Sequence, residues 1–460
     1  MTISEWIARI DGYIWGIPLM VLLVGTGIYL TLRMGFIQFR CFRHAVNVVR
    51  GKYDDPNDPG EITHFQALCS ALSATIGLGN IVGVAAAILL GGPGAVFWMW
   101  ITALVGMATK FTSCTLAVRY RQIDDTGETH GGPMHFIEEG LGPKFKWLAV
   151  LFAFFTVTAS FGIGNMFQVN NLTASFRTLV LGHVPPNVFI DLAIGIAVAM
   201  LVGSVILGGI RSIARVVSKI VPFMCVFYIA GGLVILAMNV DKILSAFGTI
   251  FYCAFHTPAS ISGGLLGAVI RQGVARGLFS NEAGLGSAAI AHGAARTDEP
   301  VREGLVAMLG PFIDTILICS VTGLVIVITG SYELCQDKAQ LTSRAFEIGL
   351  GSAWGSKFVL AAMIFFALST LISWSYYGDR SADYLFGKKA VRSYRWIYLG
   401  FIVVGACVTI DVVIDFCDAM NGLMAIPNLI ALIFLSGQVS RMTGDYIKRK
   451  KREDAQSKSP

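Results

Sequence analysis

Charged residues are scarce in this chain: Asp, Glu, Lys and Arg make up 14% of its 460 residues, where an average soluble domain has roughly 25%. That shortage excludes a soluble globule of this length. The nine cysteines (Cys41, Cys69, Cys114, Cys225, Cys253, Cys319, Cys335, Cys407 and Cys417) include no CxxC pair and mostly lie in apolar stretches. Neither a disulfide framework nor a zinc site is expected from them. There is no nucleophile and base pair and no phosphate-binding loop. His64, His130, His135, His183, His256 and His292 are scattered near span ends or in loops, and His44 lies in an amphipathic segment. An integral-membrane enzyme would need acid, base or metal residues gathered at one membrane face, so that class is disfavoured. The N-terminus MTISEWIARIDG has no basic n-region, and no small-residue cleavage site follows the first apolar run. It reads as a retained span rather than a signal peptide.

What the chain has instead is apolar sequence, 55% of its residues, and 51 glycines. A helix crossing a ~30 Å hydrocarbon core needs ~20 largely apolar residues, because every backbone polar group must be satisfied internally there. Eleven segments qualify, at about 13–33, 64–91, 93–118, 147–176, 187–208, 216–238, 260–293, 304–330, 357–379, 396–414 and 419–440. The expected fold class is therefore all-α integral membrane, embedded in a lipid bilayer. The segment RMGFIQFRCFRHAVNVVRGKYDDPNDPGE begins amphipathic and reads as an interfacial helix. The connection at 331–356 reads as a surface linker, with a lid as the alternative.

Basic residues sort by side. Of the 35 Lys and Arg, 26 fall in the loops after the odd-numbered segments and in the C-terminal tail, and six fall on the other side. Cytoplasmic loops carry the excess, which places the N-terminus outside and the C-terminus in the cytoplasm, with an odd number of spans. The formal charge of +6 thus reports topology rather than a nucleic-acid partner. Lys110 is expected to snorkel from the inner end of its helix, and Asp411, Asp415 and Asp418 to lie near an outer turn.

Two segments share a glycine pattern. CSALSATIGLGNIVGVAAAILLGG and RQGVARGLFSNEAGLGSAAIAHGAA each carry a polar cluster, then Gly-Leu-Gly and a polar residue, Asn80 or Ser287, with Gly77 and Gly284 in matching places. Five spans separate their starts. Because five is odd, the second set must run opposite to the first, as in an inverted repeat. The division is then 1–63 (an extra span and interfacial segment), 64–238 and 239–440 (two five-helix repeats) and 441–460 (a basic tail). Unwinding a helix at membrane depth frees N–H and C=O groups, which a carboxylate, an ammonium or a cation in a cavity can satisfy. The alternative is that Gly77, Gly79 and Gly83 only allow close packing.

The ATIGLGNIVG and GLFSNEAGLGSAAIAHGAA segments, the HGGPMHFIEEGLG loop and the eleven-span layout resemble the alanine or glycine:cation symporter family over about residues 10–445. The resemblance implies a LeuT-type 5+5 inverted repeat preceded by one extra helix, with spans 2 and 7 broken. It implies a secondary active transporter in the plasma membrane, the inner membrane of a bacterium, moving small neutral amino acids such as alanine and glycine with sodium and needing no cofactor. A glutamine preference, a proton-coupled carrier and a passive channel stay open, as does the oligomeric state.

By the same resemblance, one sodium site uses the carbonyls of Ser73 and Ile76 with the hydroxyls of Ser369 and Thr370. A second cation site draws on the Thr75 carbonyl, Asn80, Ser280 and Asp314. The substrate lies among Thr75, Gly77, Gly79, Asn165, Gln168, Phe279, Thr370 and Trp374. On the residues alone, Ser and Thr are also routine membrane-helix glue. Asp314, a carboxylate in an apolar span, demands a partner: sodium, a proton or a basic residue. Phe161, Asn165 and Gln168 share one helical face. Glu282 falls within the second glycine break, as a gating or coupling residue or as a salt-bridge partner of Arg271 or Arg276.

Overall fold

The structure is a computed structural model of the chain and describes all residues except 1–2, 126, 183–184, 186, 257–263, 409–410 and 457–460. His183 and the start of the expected seventh segment lie outside the described residues, as does the side chain of Asp411. In chain order the helices are α1 (Ile3–Ile14), α2 (Ile17–Arg33), α3 (Phe42–Val49), α4 (His64–Thr75), α5 (Val82–Gly91), α6 (Ala95–Arg119), α7 (Pro133–Leu141) and α8 (Pro143–Thr178). They continue with α9 (Val188–Ile206), α10 (Gly209–Met238), α11 (Val240–Phe255), α12 (Gly264–Asn281) and α13 (Ser287–Gly293). The last five are α14 (Pro300–Thr329), α15 (Leu341–Leu350), α16 (Trp354–Phe386), α17 (Lys388–Cys407) and α18 (Asp411–Gln456). A small antiparallel hairpin, β1 (Gln122–Ile123) with β2 (Thr129–His130), pairs Gln122 with His130.

Among the described residues, seven helices are long and apolar enough to cross a membrane, or eight if the bent pair α4–α5 counts as one span. The expectation of eleven was drawn from hydropathy windows. It differs at α2, which has 17 residues, at α12–α13, and at α17, whose first turns carry Lys388, Lys389, Arg392 and Arg395. Helices also overrun the expected boundaries, since a backbone hydrogen-bond ladder need not stop where apolar sequence does. The supposed tail is the continuation of α18 as far as Gln456. Neither α1 nor α11 was anticipated.

Apolar side chains cover much of the outer surface, among them Met200 and Leu201 on α9, Phe223 and Val226 on α10, and Phe434 on α18. The interior is built by close helix approach. On α12, a Cβ at Gly273 would lie 2.4 Å from the Ala95 carbonyl oxygen and one at Gly277 would lie 2.3 Å from Thr102 Oγ1, so α6 packs against a strip with no side chains. Two sequence expectations fail here. Lys110 is 3% exposed in the middle of this packed face and does not reach a headgroup. The 331–356 connection is not a loose linker: Leu341, Ala345 and Phe346 of α15 are buried against α14 and α16. The amphipathic segment forms α3, with His44, Ala45 and Val48 buried, so it packs on the protein as well as facing outward.

Candidate functional site

The α4–α5 pair bends by 61° at a short break. Thr63 starts α4 with a reciprocal capping box to Gln66, and the helix ends where Ile76 turns to ψ 88. Gly77 is extended and Leu78–Asn80 form a single 3-10 turn. The polar groups freed there find specific partners. Asn80 Oδ1 accepts the Gly77 N–H at 3.0 Å, Thr322 Oγ1 donates to the Asn80 carbonyl at 2.9 Å, and Thr342 Oγ1 donates to the Ile81 carbonyl at 3.0 Å. Gln168 Oε1 accepts the Leu78 N–H at 3.4 Å. A Cβ on Gly77 would lie 2.6 Å from Thr370 Oγ1 and 3.4 Å from Gln168 Oε1. Only glycine lets α8 and α16 close on this turn.

Oxygen atoms gather on the α4 side of the break. Ser73 Oγ donates to the Ser369 carbonyl at 2.6 Å, and Thr370 Oγ1 donates to the Ser73 carbonyl at 3.2 Å. Ile76, Ser73 and Ser369 are fully buried. These are neutral oxygens, the ligand type that suits a hard cation. On the α5 side, Asn80 Nδ2 donates to Asp314 Oδ1 at 2.6 Å. Ser280 Oγ donates to Asp314 Oδ2 at 2.9 Å and Thr315 Oγ1 to the same oxygen at 2.7 Å. Cys319 Sγ lies 3.3 Å from both Asn80 Nδ2 and Ser280 Oγ. Asp314 occupies a π-helical stretch, Phe312–Cys319, a local widening that is frequent at functional sites.

The second interruption, between α12 and α13, contains three positive φ angles: Glu282 (52), Gly284 (97) and Gly286 (93). A left-handed non-glycine residue needs support from its surroundings. Glu282 receives hydrogen bonds from Ser287 and Trp374 and faces the charge of Lys110. Asn428 Nδ2 holds the Gly284 carbonyl at 2.8 Å. The alternative reading of Glu282 as a salt-bridge partner of Arg271 or Arg276 finds no such pair among the described residues; Arg276 lies 5.9 Å from the Phe279 ring and faces Asp418.

Residues 1–459 match the sodium:alanine symporter family. A sodium/alanine symporter of Methanococcus maripaludis is 48% identical over 98% of this chain and 99% of its own. The chain belongs to the sodium:alanine symporter family. A Bacillus subtilis relative described as a probable sodium/glutamine symporter is 37% identical over 95% of this chain and 89% of its own. The crystal structure of MhsT in complex with L-phenylalanine shares the fold, with a TM-score of 0.57 at 13% identity, covering 84% of this chain and 98% of that one. The LeuT-type architecture and a multi-pass membrane transporter, not an enzyme, follow from these matches.

Within this symporter-family chain the expected site residues divide. Ser73, Gly77, Gln168, Ser369 and Thr370 meet at the first break, as do Asn80, Ser280 and Asp314. Thr75 is buried beside them, its hydroxyl returned to the α4 carbonyls of Ala71 and Leu72 at 3.3 Å. Phe279 faces Gly79, where a Cβ would lie 3.4 Å from its ring, and lines a cavity of about 120 Å³ together with Trp15, Arg276 and Asp418. Trp374 packs on Gly164, where a Cβ would lie 2.4 Å away. Asn165 is turned from the break and donates to the Tyr398 carbonyl at 2.8 Å, because the π-helical stretch Gly162–Met166 shifts the helical phase between Asn165 and Gln168. Sequence reasoning missed Thr315, Cys319 and Lys110. The adjacency of Thr315 to Asp314 was the available signal for the first and the placement of Lys110 within an apolar run for the third, whereas Cys319 is brought to the cluster by the π-helical stretch.

The face carrying most of the basic residues is closed by two polar devices. Glu303 lies fully buried between His64 and His292, accepting from His292 Nδ1 at 2.5 Å and from His64 Nδ1. Arg121 donates to the Pro59 carbonyl at 2.8 Å and the Gly293 carbonyl at 3.1 Å, and also to those of Ala295 and Thr297. Ile62 and Ala295 form a parallel bridge across the same seam. Both interrupted helices are thereby tied together on this side.

Proposed function

We propose that this chain is a secondary active transporter that couples sodium entry to uptake of a small neutral amino acid, alanine or glycine, across the plasma membrane. The carrying observation is the convergence of Ser73, Ser369 and Thr370 oxygens with Gln168 at the Gly77 turn. Cation and substrate groups thus share a single broken helix. In this reading α4–α5 and α12–α13 are the two broken spans of an inverted repeat within eleven spans, and the basic face is cytoplasmic.

Sodium at Ser73, Ile76, Ser369 and Thr370 bridges α4 and α16 and orders the broken segment. The substrate carboxylate then takes the place of Gln168 Oε1 at the Leu78 N–H, where the α5 helix dipole favours a negative group. Gln168, Phe279 and Trp374 bound the side chain and leave little room for a large one. Binding of each partner orders the turn for the other, so the two affinities are reciprocally coupled. Release requires the Arg121 and Glu303 contacts to part while the opposite face closes.

Proteoliposomes containing the chain are expected to concentrate labelled alanine only under an inward sodium gradient. Equal uptake in potassium buffer would refute sodium coupling, and uptake that never exceeds the external concentration would indicate a passive pore. The buried carboxylates Glu282 and Asp314 favour proton coupling as the second reading. Collapsing the proton and sodium gradients one at a time separates the two, and competition by a panel of D- and L-amino acids, glutamine included, defines the substrate.

A further inference from the structure

Lys110 has no role in the binding scheme above, yet it is the cation that faces both buried carboxylates. Its helix, α6, runs between the two interrupted regions. One turn before it, a Cβ on Gly106 would lie 2.6 Å from Ala283 Cβ, beside Glu282. On the other side a Cβ on Gly310, one turn before Asp314, would lie 3.4 Å from Lys110 Nζ. Lys110, Glu282 and Asp314 are 3%, 4% and 0% exposed, and Lys110 interacts electrostatically with both carboxylates. The two acids are also joined through polar contacts. Thr315 Oγ1 bridges Asp314 to Asn281 Nδ2 at 3.2 Å, and Asn281 Oδ1 holds the Ala283 N–H at 2.9 Å, next to Glu282.

Charge counting over this group is informative because an uncompensated charge at membrane depth is costly. With both acids ionised and Lys110 protonated, the group carries one negative charge. The zwitterionic amino acid adds none, and the Ser73, Ile76, Ser369 and Thr370 oxygens are neutral. One monovalent cation closes the balance. We infer that Lys110 is an internal counter-ion that stands in for a second transported cation at Asp314, so that a single sodium accompanies each amino acid. The inference rests on the sodium-coupled reading above. It makes Lys110 a positioning residue: its ammonium offsets the charge of Asp314 and Glu282, whose oxygens are held by Asn80, Ser280, Thr315 and Ser287, and links the charge of the cation cluster to the second break.

The test is thermal unfolding of the purified full chain in detergent, with sodium titrated against choline at constant ionic strength. Alkaline pH keeps a proton from taking a cation's place. The wild type and Lys110→Arg are expected to show single-site sodium stabilisation. Lys110→Met leaves two uncompensated carboxylates and is expected to show a steeper, two-site sodium dependence in place of the single-site one, the added negative charge favouring the second cation. Lys110→Met with Asp314→Asn restores the charge balance and is expected to return to single-site behaviour. If Lys110→Met alone does not fold, recovery of a folded, single-site protein in the double variant supports the inference, and failure of both variants overturns it. A two-site wild type, or Lys110→Met titrating as the wild type does, also overturns it. A wild type insensitive to sodium instead refutes the sodium-coupled function on which it rests.

Discussion

Asn80 Nδ2 donates to Asp314 Oδ1 at 2.6 Å across 234 residues of sequence, while Asn80 Oδ1 accepts the Gly77 N–H. One amide thus ties the turn of the first broken helix to the π-helical stretch of α14. Asn80→Ala is expected to orphan both partners, at about 1–3 kcal/mol for each buried group left unsatisfied. Uptake should fall together with thermal stability. Unchanged melting and uptake would show that the link is dispensable.

Thr370→Ala removes a hydroxyl that faces the Ser73 carbonyl, whereas Gln168→Ala removes the partner of the Leu78 N–H. The first change is expected to raise the sodium concentration for half-maximal uptake by roughly tenfold or more, the scale of one charge-assisted contact. The second should raise the KM for the amino acid more than it shifts the sodium titration. Indistinguishable sodium titrations would contradict the assignment.

Gly77 and Gly83 separate the two roles of glycine. A Cβ at Gly77 meets Thr370 Oγ1 at 2.6 Å, while one at Gly83 meets nothing within 4 Å. Gly77→Ala is expected to abolish sodium-dependent uptake. Gly83→Ala should preserve uptake and stabilise α5 by about 0.5–1 kcal/mol, the usual gain of alanine over glycine in a helix. If both changes behave alike, the glycines serve general packing only.

A pH dependence follows from the hairpin and α7, outside the spans. The hydrogen bond to Asp383, at 3.0 Å, raises the His130 pKa, assisted by Asp124 at 3.3 Å. Its contribution is fully present below the ordinary value of ~6.5 and is lost as pH rises through the raised value. Burial lowers His135 to about 4, with the charge of His130 adding to it, so His135 costs stability as pH falls from ~6.5 toward that value. His130→Gln is expected to lower the melting temperature more at pH 6 than at pH 8, and His135→Gln to flatten the loss below pH 6. Melting curves across pH 5–9 provide the measurement.

Arg121 donates to carbonyls of Pro59, Gly293, Ala295 and Thr297. Arg121→Gln is expected to loosen this seam, raising amide exchange over residues 59–62 and 293–297 while leaving α9 and α10 unchanged. Exchange unchanged at the seam would place its closure in the His64–Glu303–His292 group instead.

The sequence by itself determined the membrane class and the location of both glycine motifs, because charge and chain length are read against a bilayer without tertiary detail. Asp314 stood out by itself as a carboxylate in an apolar span, whereas Ser73, Gln168, Ser369 and Thr370 were pointed to by the family resemblance. Only the tertiary structure decided that Lys110 is buried beside α14 rather than reaching a headgroup, that Asn165 turns to Tyr398, and that α15 packs over the break and reaches the Ile81 carbonyl through Thr342. The physical reason is common to all three. In a membrane helix the lipid face and the protein face are both apolar, so periodicity does not say which way a residue points. Helix contacts, π-helical phase shifts and long-range hydrogen bonds supply that direction.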